Sequence, residues 1–140
     1  MRSLLSALTA LLILAFAPAA AQAADVSVSP VSTLNFVAGD NEANNVSITL
    51  AAGTYTVIDT GVPAVPVTAG SGCTQAAANT VTCPVGSITA LAVDGRDLAD
   101  TITLSGTAAA TINGGEGDDT ITGSGVNDTI NGGADADRLD

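Results

Sequence analysis

The chain has 140 residues, which allows one ordinary domain or two very small ones. Its formal net charge is −11, with three basic residues against 14 acidic ones. This balance excludes a nucleic-acid partner and an anionic lipid surface, because phosphate contacts need a basic face. The chain has no histidine, which excludes the usual catalytic triads and most zinc chemistry. We therefore expect cations as partners and no enzymatic activity.

Residues 1–24 have the pattern of a secretory signal peptide. A basic residue precedes an apolar run over 4–17, which is too short for a membrane-spanning helix. Residues 21–23 (AQA) then fit the small-residue cleavage site of exported proteins. We predict a secreted protein, with the periplasm or the cell surface as possible locations. A retained membrane anchor is the alternative, and it is disfavoured because small residues follow the run instead of a charged stop.

Residues 25–94 alternate between apolar and polar side chains in short steps, which predicts strands rather than helices. The predicted strands lie at 26–28, 34–37, 46–50, 55–59, 81–83 and 88–93. Two prolines between residues 60 and 71 indicate a loop or an edge there. This region forms either further coils of a β-solenoid or a small β-sandwich. We favour the solenoid, because the C-terminal repeats follow without a linker.

Two cysteines, Cys73 and Cys83, lie ten residues apart in this region. In an exported chain such a pair predicts a disulfide. On the chain-entropy model it would stabilise the fold by about 2–3 kcal/mol. The alternative is half of a metal site, but the chain has no histidine to complete one.

Residues 95–140 repeat every nine residues, most clearly from residue 114 onward. The last three units are GGEGDDTIT, GSGVNDTIN and GGADADRLD. Position six is always aspartate and position eight always a branched aliphatic: Asp119, Asp128 and Asp137 with Ile121, Ile130 and Leu139. Upstream, unit 105–113 has Ala110 at position six, and unit 95–103 restores Asp100 after a one-residue break. A flexible Gly/Asp linker would not keep the aliphatic position fixed.

The nine-residue period predicts a six-residue turn followed by a three-residue strand. Because each turn reverses the chain, each unit should stack on the next unit but one, about 4.8 Å away. Two aspartates at that spacing repel each other by roughly 3 kcal/mol at an effective dielectric near 20. One buried aliphatic per unit contributes about 2–3 kcal/mol at best. We therefore expect the coils to need a cation, and oxygen ligands in a roomy loop favour calcium over magnesium.

The alternation also predicts which turns share an edge. Turns 95–100, 114–119 and 132–137 should lie on one edge, with 105–110 and 123–128 on the other. The best site is then expected between 114–119 and 132–137, whereas the opposite edge offers Asp128 alone. We expect dissociation constants on the order of 10⁻⁴–10⁻³ M, as in extracellular calcium modules.

The repeat resembles the RTX, or hemolysin-type, calcium-binding nonapeptide GGxGxDxUx, strongly from residue 114 and weakly back to 95. The resemblance implies a right-handed parallel β-roll, or β-solenoid, at 95–140, preceded by a β-strand-rich N-terminal cap at 25–94. It also implies calcium held between turns by position-six aspartates and by backbone carbonyls of the glycine-rich turn. The implied ligands are Asp100, Asp119, Asp128 and Asp137, with carbonyls near Gly115, Gly117, Gly133 and Asp135. Position four departs from glycine in two units, as Val126 and Asp135.

These features predict a secreted calcium-binding structural module whose repeats fold on binding Ca²⁺. The alternative is a cell-surface adhesin or surface-layer component that uses the roll as a spacer toward an unidentified partner. That alternative predicts retention on the cell surface instead of free release. Membrane insertion is not expected, because no segment after the signal peptide is apolar enough.

Overall fold

The computed structural model describes residues 20–86 and 88–140, so most of the predicted signal peptide lies outside the described residues. The described residues contain thirteen strands and no helix, which confirms the all-β prediction. Within the same residues, no helix is long and apolar enough to cross a membrane. The strands are β1 (Asp25–Val28), β2 (Thr33–Val37), β3 (Asn45–Ala51), β4 (Thr54–Asp59), β5 (Thr68–Ala69), β6 (Thr74–Ala77), β7 (Thr80–Pro84), β8 (Ala90–Asp94), β9 (Thr101–Ser105), β10 (Ala109–Glu116), β11 (Thr120–Thr122), β12 (Thr129–Ala134) and β13 (Arg138–Leu139).

The strands form two sheets, and from β8 onward the chain alternates between them. One sheet has the order β12-β10-β8-β2-β1-β5, and the other has the order β13-β11-β9-β3-β4-β7-β6. Every pairing among β8 to β13 is parallel. Ile112 pairs with Ile130, and Ile121 pairs with Leu139, so each unit stacks on the unit 18 residues further on. The strands therefore stack in the alternation that the nine-residue period predicts.

The N-terminal region belongs to the same two sheets but pairs differently. Strands β2 and β3 join the parallel ladders beside β8 and β9. The pairs β1–β2, β3–β4, β4–β7 and β6–β7 are antiparallel, so both sheets are mixed. The expectation that solenoid coils continue through the whole of residues 25–94 is therefore wrong.

The connection between β3 and β4 gives the physical reason. It consists of Ala52 and Gly53, both with positive φ, of 48° and 75°. A two-residue turn with positive φ at both positions returns the chain beside the strand it has just left. A coil would instead have to cross the roughly 10 Å between two packed sheets, which two residues in a tight turn do not span. The hairpin thus keeps β4 in the same sheet as β3.

The hydrophobic core lies between the two sheets along their whole length. Tyr55 and Phe36 are its largest members, and both lie in the N-terminal strands. In the repeats the core is built from the position-eight aliphatics, and Ile102, Ile112 and Ile121 are at most 1% exposed. Ile130 is only partly buried, and the last member of the series, Leu139, is 46% exposed. The core therefore thins toward the last coil.

The predicted disulfide between Cys73 and Cys83 is present. Cys83 is fully buried in β7, whereas Cys73 directly precedes β6, whose four residues are all exposed. Strand β6 also lies at the outer edge of its sheet. The bond therefore attaches an exposed edge strand to the core.

The decreasing burial of position eight generates a matched pair of variants. Ile121→Ala should destabilise the calcium-loaded protein by about 3 kcal/mol, because it removes a fully buried side chain and leaves a cavity. Leu139→Ala should cost less than about 1 kcal/mol, because this side chain is nearly half exposed. Urea denaturation in millimolar calcium measures both values. Equal losses would contradict the core described above.

Candidate metal centre

The turns on one edge bring the position-six aspartates into a hydrogen-bonded ladder. The backbone N–H of Asp100 donates to Oδ1 of Asp119 at 2.8 Å, and the N–H of Asp119 donates to Oδ1 of Asp137 at 3.0 Å. Asp100 and Asp119 are buried. Each carboxylate therefore fixes the height of its own turn against the turn before it. The three residues that the sequence assigns to one edge lie together there.

The second oxygen of the two buried carboxylates is left over. Oδ2 of Asp100 and Oδ2 of Asp119 have no hydrogen-bond partner among residues 20–86 and 88–140. A buried polar atom without a partner is costly, and a buried charge without a partner is more so. These two oxygens therefore need a proton or a cation.

The position-one glycines show what else lies beside those oxygens. A Cβ built on Gly114 would collide with Oδ2 of Asp119 and with the carbonyl oxygen of Gly132 in the next coil. A Cβ on Gly95 would collide in the same way with Oδ2 of Asp100 and the carbonyl oxygen of Gly114. A carboxylate oxygen and a carbonyl oxygen thus converge on a space that only glycine leaves open. Both are oxygen ligands of the kind that calcium takes.

The electrostatics of this edge favour a cation. Burial raises the pKa of Asp100 to about 7; the Asn44 N–H opposes the rise, and repulsion from Asp119 adds to it. Burial also raises the pKa of Asp119. The hydrogen bond from the N–H of Asp100 acts to lower it, and repulsion from the carboxylates of Asp137 and Asp118 adds to the rise. A bound divalent cation would remove both the desolvation cost and the repulsion.

The opposite edge is different, because Asp128 already has its partners. Its Oδ2 accepts from the N–H of Ser124 at 2.6 Å, its Oδ1 accepts from the N–H of Ala110 at 2.8 Å, and the Ser124 hydroxyl donates at 3.0 Å. Burial acts to raise the pKa of Asp128, but these hydrogen bonds outweigh it and the pKa is lowered. A Cβ on Gly123 would meet Asp128 and Ile130, with no carbonyl of another coil among its nearest atoms. Asp128 is therefore stable as an anion without a cation.

The residues of the predicted carbonyl ligands have unusual backbone angles, and two of them lie at the ends of strands β10 and β12 instead of in turns. Gly115, Gly117 and Gly133 have φ of 122°, 126° and 114°. The carbonyl of Gly115 approaches Gly133 so closely that a Cβ on Gly133 would collide with it. Glycine is therefore required at position two of these units both by the dihedral angle and by the approach of the neighbouring coil.

The two departures from glycine at position four are accommodated separately. Asp135 takes φ of 78° itself, in a region that aspartate tolerates better than most residues. In unit 123–131 the positive φ moves to Gly125, at 82°, and Val126 is exposed. Both turns therefore still reverse the chain.

The structure adds a repeat unit that the sequence reading missed. Residues 39–47 (GDNEANNVS) form a turn and a strand beside unit 95–103, and Val46 pairs with Ile102. The N–H of Asn44 donates to Oδ1 of Asp100 at 2.7 Å, which makes Asn44 the first member of the ladder. The sequence pattern did not predict this unit, because asparagine stands at position six, where the clear units have aspartate. The remaining signal is a glycine seven residues before a branched aliphatic, as in Gly95 and Ile102.

Among the described residues, no group of three or more histidine, cysteine, aspartate or glutamate side chains is placed to hold a metal ion. A calcium ion on the Asp100–Asp119–Asp137 edge would therefore need backbone carbonyls to complete its ligands. The converging carbonyls of Gly114 and Gly132 supply oxygens of that kind. The residues on this edge thus fit calcium, and they do not form a cage made of side chains.

One of three comparisons with known proteins gives a match, and it agrees with this geometry. Searches of curated proteins and of solved structures found no match. A family model described as the RTX calcium-binding nonapeptide repeat, in four copies, matches residues 104–140. That span includes the three clear units and the whole of the weak unit 105–113 before them. Residues 104–140 therefore match the RTX calcium-binding nonapeptide repeat.

Proposed function

We propose that this protein is a secreted structural module whose C-terminal repeats order into a parallel β-roll when calcium binds. The observation that carries the proposal is the pair of buried carboxylate oxygens, on Asp100 and Asp119, that have no partner in the described part of the chain. Each lies beside a carbonyl of the next coil. A cation there would bind two coils together and neutralise the carboxylates that register them.

The parallel strand ladders support the β-roll. Strands β8 to β13 alternate between two sheets and pair only in parallel with one another. Each coil buries few apolar side chains, so the chain entropy of ordering nine residues exceeds what one aliphatic contributes. Calcium would supply the missing free energy, as metal binding does in other small metal-dependent folds.

The N-terminal strands would give the repeats a surface on which to form. Strands β2 and β3 present edges to β8 and β9, and their residues Leu34, Phe36 and Ile48 are fully buried. This part of the core does not depend on a cation. It would stay folded without calcium and provide the register for the first coil.

Secretion is supported by two independent features. The disulfide between Cys73 and Cys83 is of a kind that persists in oxidising compartments outside the cytosol. The N-terminal pattern is that of an exported protein. Calcium is abundant outside cells, so the repeats would remain unfolded during export and order only afterwards.

Circular dichroism tests the central proposal. Millimolar calcium should increase the β-sheet signal of the purified protein above a calcium-independent contribution from the N-terminal strands. Magnesium at the same concentration should have little effect, because it loses its water reluctantly and demands near-ideal octahedral geometry. An equally ordered C-terminal segment after exhaustive chelation would contradict the proposal.

Two variants compare the two edges. Asp119→Ala should weaken calcium binding at least tenfold, because it removes a carboxylate whose free oxygen faces a carbonyl of the next coil. Asp128→Ala should weaken it by a smaller factor, because the hydrogen bonds to Ser124 and Ala110 already satisfy that carboxylate. Calcium titration calorimetry measures both affinities. Equal losses would refute the ranking of the edges.

The raised pKa values of Glu42 and Asp100, both about 7, predict how pH changes stability. A carboxyl whose pKa is higher in the folded state binds its proton more tightly there than in the unfolded chain. Its stabilising effect is therefore complete below the unfolded pKa of about 4 and is lost as pH rises through about 7. The urea midpoint of the calcium-free protein should fall between pH 4 and pH 8. Saturating calcium should remove most of the fall, and an unchanged midpoint in chelator would contradict the prediction.

A further inference from the structure

A second group of buried oxygens lies before the C-terminal repeats of residues 95–140, where unit 39–47 meets the hairpin of the N-terminal strands. Glu42 lies in turn 39–44, and Asp59 is the last residue of β4. Both are at most 2% exposed. Within the described residues, Oε1 and Oε2 of Glu42 and Oδ2 of Asp59 have no hydrogen-bond partner. Three carboxylate oxygens are thus buried without a donor.

The backbone holds these two residues together. The N–H groups of Asn45 and Gly61 both donate to Oδ1 of Asp59 at 2.9 Å. Ala43 and Val62 exchange two backbone hydrogen bonds, at 2.8 and 3.0 Å. Residues 43–45 therefore run beside 59–62, and this places the Glu42 turn against the end of β4. The two acidic side chains cannot move apart without breaking this pairing.

Asn44 contributes a further oxygen and separates this group from the repeat ladder. Its Nδ2 donates to the carbonyl of Glu42 at 2.9 Å and lies 3.4 Å from Oδ1 of Asp100. A flipped amide would place oxygen against both of these oxygens, so the orientation is fixed. Its Oδ1 is buried and finds no partner in residues 20–86 or 88–140. The amide thus turns its donor side toward the ladder and its acceptor side away.

We propose that Glu42, Asp59 and the side-chain oxygen of Asn44 form a binding site for one calcium-like divalent cation. The site has a net charge of −2, which one divalent ion neutralises. Its ligand atoms are all oxygens, the ligand type that hard cations prefer. Ligands beyond these side chains would be water or backbone carbonyls. The site uses no position-six aspartate, so it goes beyond the proposed function of the repeats.

A cavity lies beside one member of this site, Asp59. It has a volume of about 400 Å³ and is lined by Asp59, Thr60, Ala64, Val65, Pro66, Ala78 and Asn79. The backbone N–H of Val65 lies near enough to Glu42 to lower its pKa somewhat, although it does not reach hydrogen-bonding geometry. Burial and repulsion from Asp59 outweigh that effect and raise the pKa of Glu42. The cavity therefore reaches the site at Asp59.

The site would connect the cap to the repeats. Glu42 and Asn44 lie in the turn that stacks on turn 95–100, and Asp59 lies in the hairpin strand beyond it. A cation held by all three would fix the turn that gives the first coil its register. Calcium bound there would thus act before calcium in the repeats.

Calcium stoichiometry in a repeat-deficient background tests the site. The background carries Asp100→Asn, Asp119→Asn, Asp128→Asn and Asp137→Asn, and titration calorimetry with calcium alone is the measurement. This background should still bind one calcium ion. Adding Glu42→Gln or Asp59→Asn should weaken that binding at least tenfold. Adding Asp40→Asn should leave it unchanged, because Asp40 is an exposed carboxylate of the same turn that pairs with Arg96 at 2.7 Å.

Each outcome of this titration either supports or overturns the proposed cation site. If the background binds no calcium, or if Glu42→Gln and Asp59→Asn both leave binding unchanged, the proposal is overturned. In that case the two carboxyls share a proton, and Glu42→Gln should reduce the fall of the calcium-free urea midpoint between pH 4 and pH 8, while the part of the fall that is due to Asp100 remains. Folding of each variant is checked by cooperative urea denaturation in chelator. If the wild-type repeats fail to order with calcium but the background still binds one ion, the function proposed above fails while this site stands.

Discussion

The interaction on which the C-terminal half depends is the hydrogen bond from a backbone N–H of one turn to the position-six carboxylate of the next coil. It occurs from Asn44 to Asp100, from Asp100 to Asp119 and from Asp119 to Asp137. Each bond uses one carboxylate oxygen and sets the height of a coil. The same bond leaves the second oxygen of Asp100 and of Asp119 buried without a partner among the described residues. The same hydrogen bond therefore sets the register of the coils and leaves a carboxylate oxygen without a partner. A cation between coils would neutralise that oxygen and leave the register unchanged.

The N-terminal strands explain why one repeat unit is degenerate. Turn 105–110 carries Ala110 where aspartate is expected, and Ala108 and Ala110 are both buried. Gly106 lies against the ring of Tyr55, which belongs to β4. An aspartate at position 110 would place a carboxylate in a buried position, which is costly without partners, and a small apolar residue avoids that cost. The loss of the repeat pattern there thus marks the place where the cap covers the coil.

Asn44 has a related role at the start of the ladder. An aspartate at this position would add a further carboxylate to a region where burial and, to a smaller extent, the charges of Asp119 and Asp59 already raise the pKa of Asp100. The amide keeps the hydrogen-bonding geometry of a position-six residue and carries no charge. It also turns its nitrogen toward Asp100, and its oxygen has no partner among the described residues. The neutral amide of Asn44 thereby links the cap to the repeats and keeps the carboxylates of Glu42 and Asp59 separate from that of Asp100.

The sequence alone determined that each repeat unit has a strand, the pairing of alternate units, the disulfide and the residues of the acidic edge, although β10 and β12 are longer than the three residues that the period predicts. These follow from local rules, because a nine-residue period fixes which side chain points inward and which turns stack. The tertiary structure alone decided that the N-terminal strands fold back as hairpins, that residues 39–47 act as a repeat unit, and that Glu42 lies beside Asp59. These depend on contacts between segments far apart in the chain, as between Asn44 and Asp100, 56 residues away. No local pattern records such a contact, because it arises from the packing of two sheets and not from the propensity of either segment.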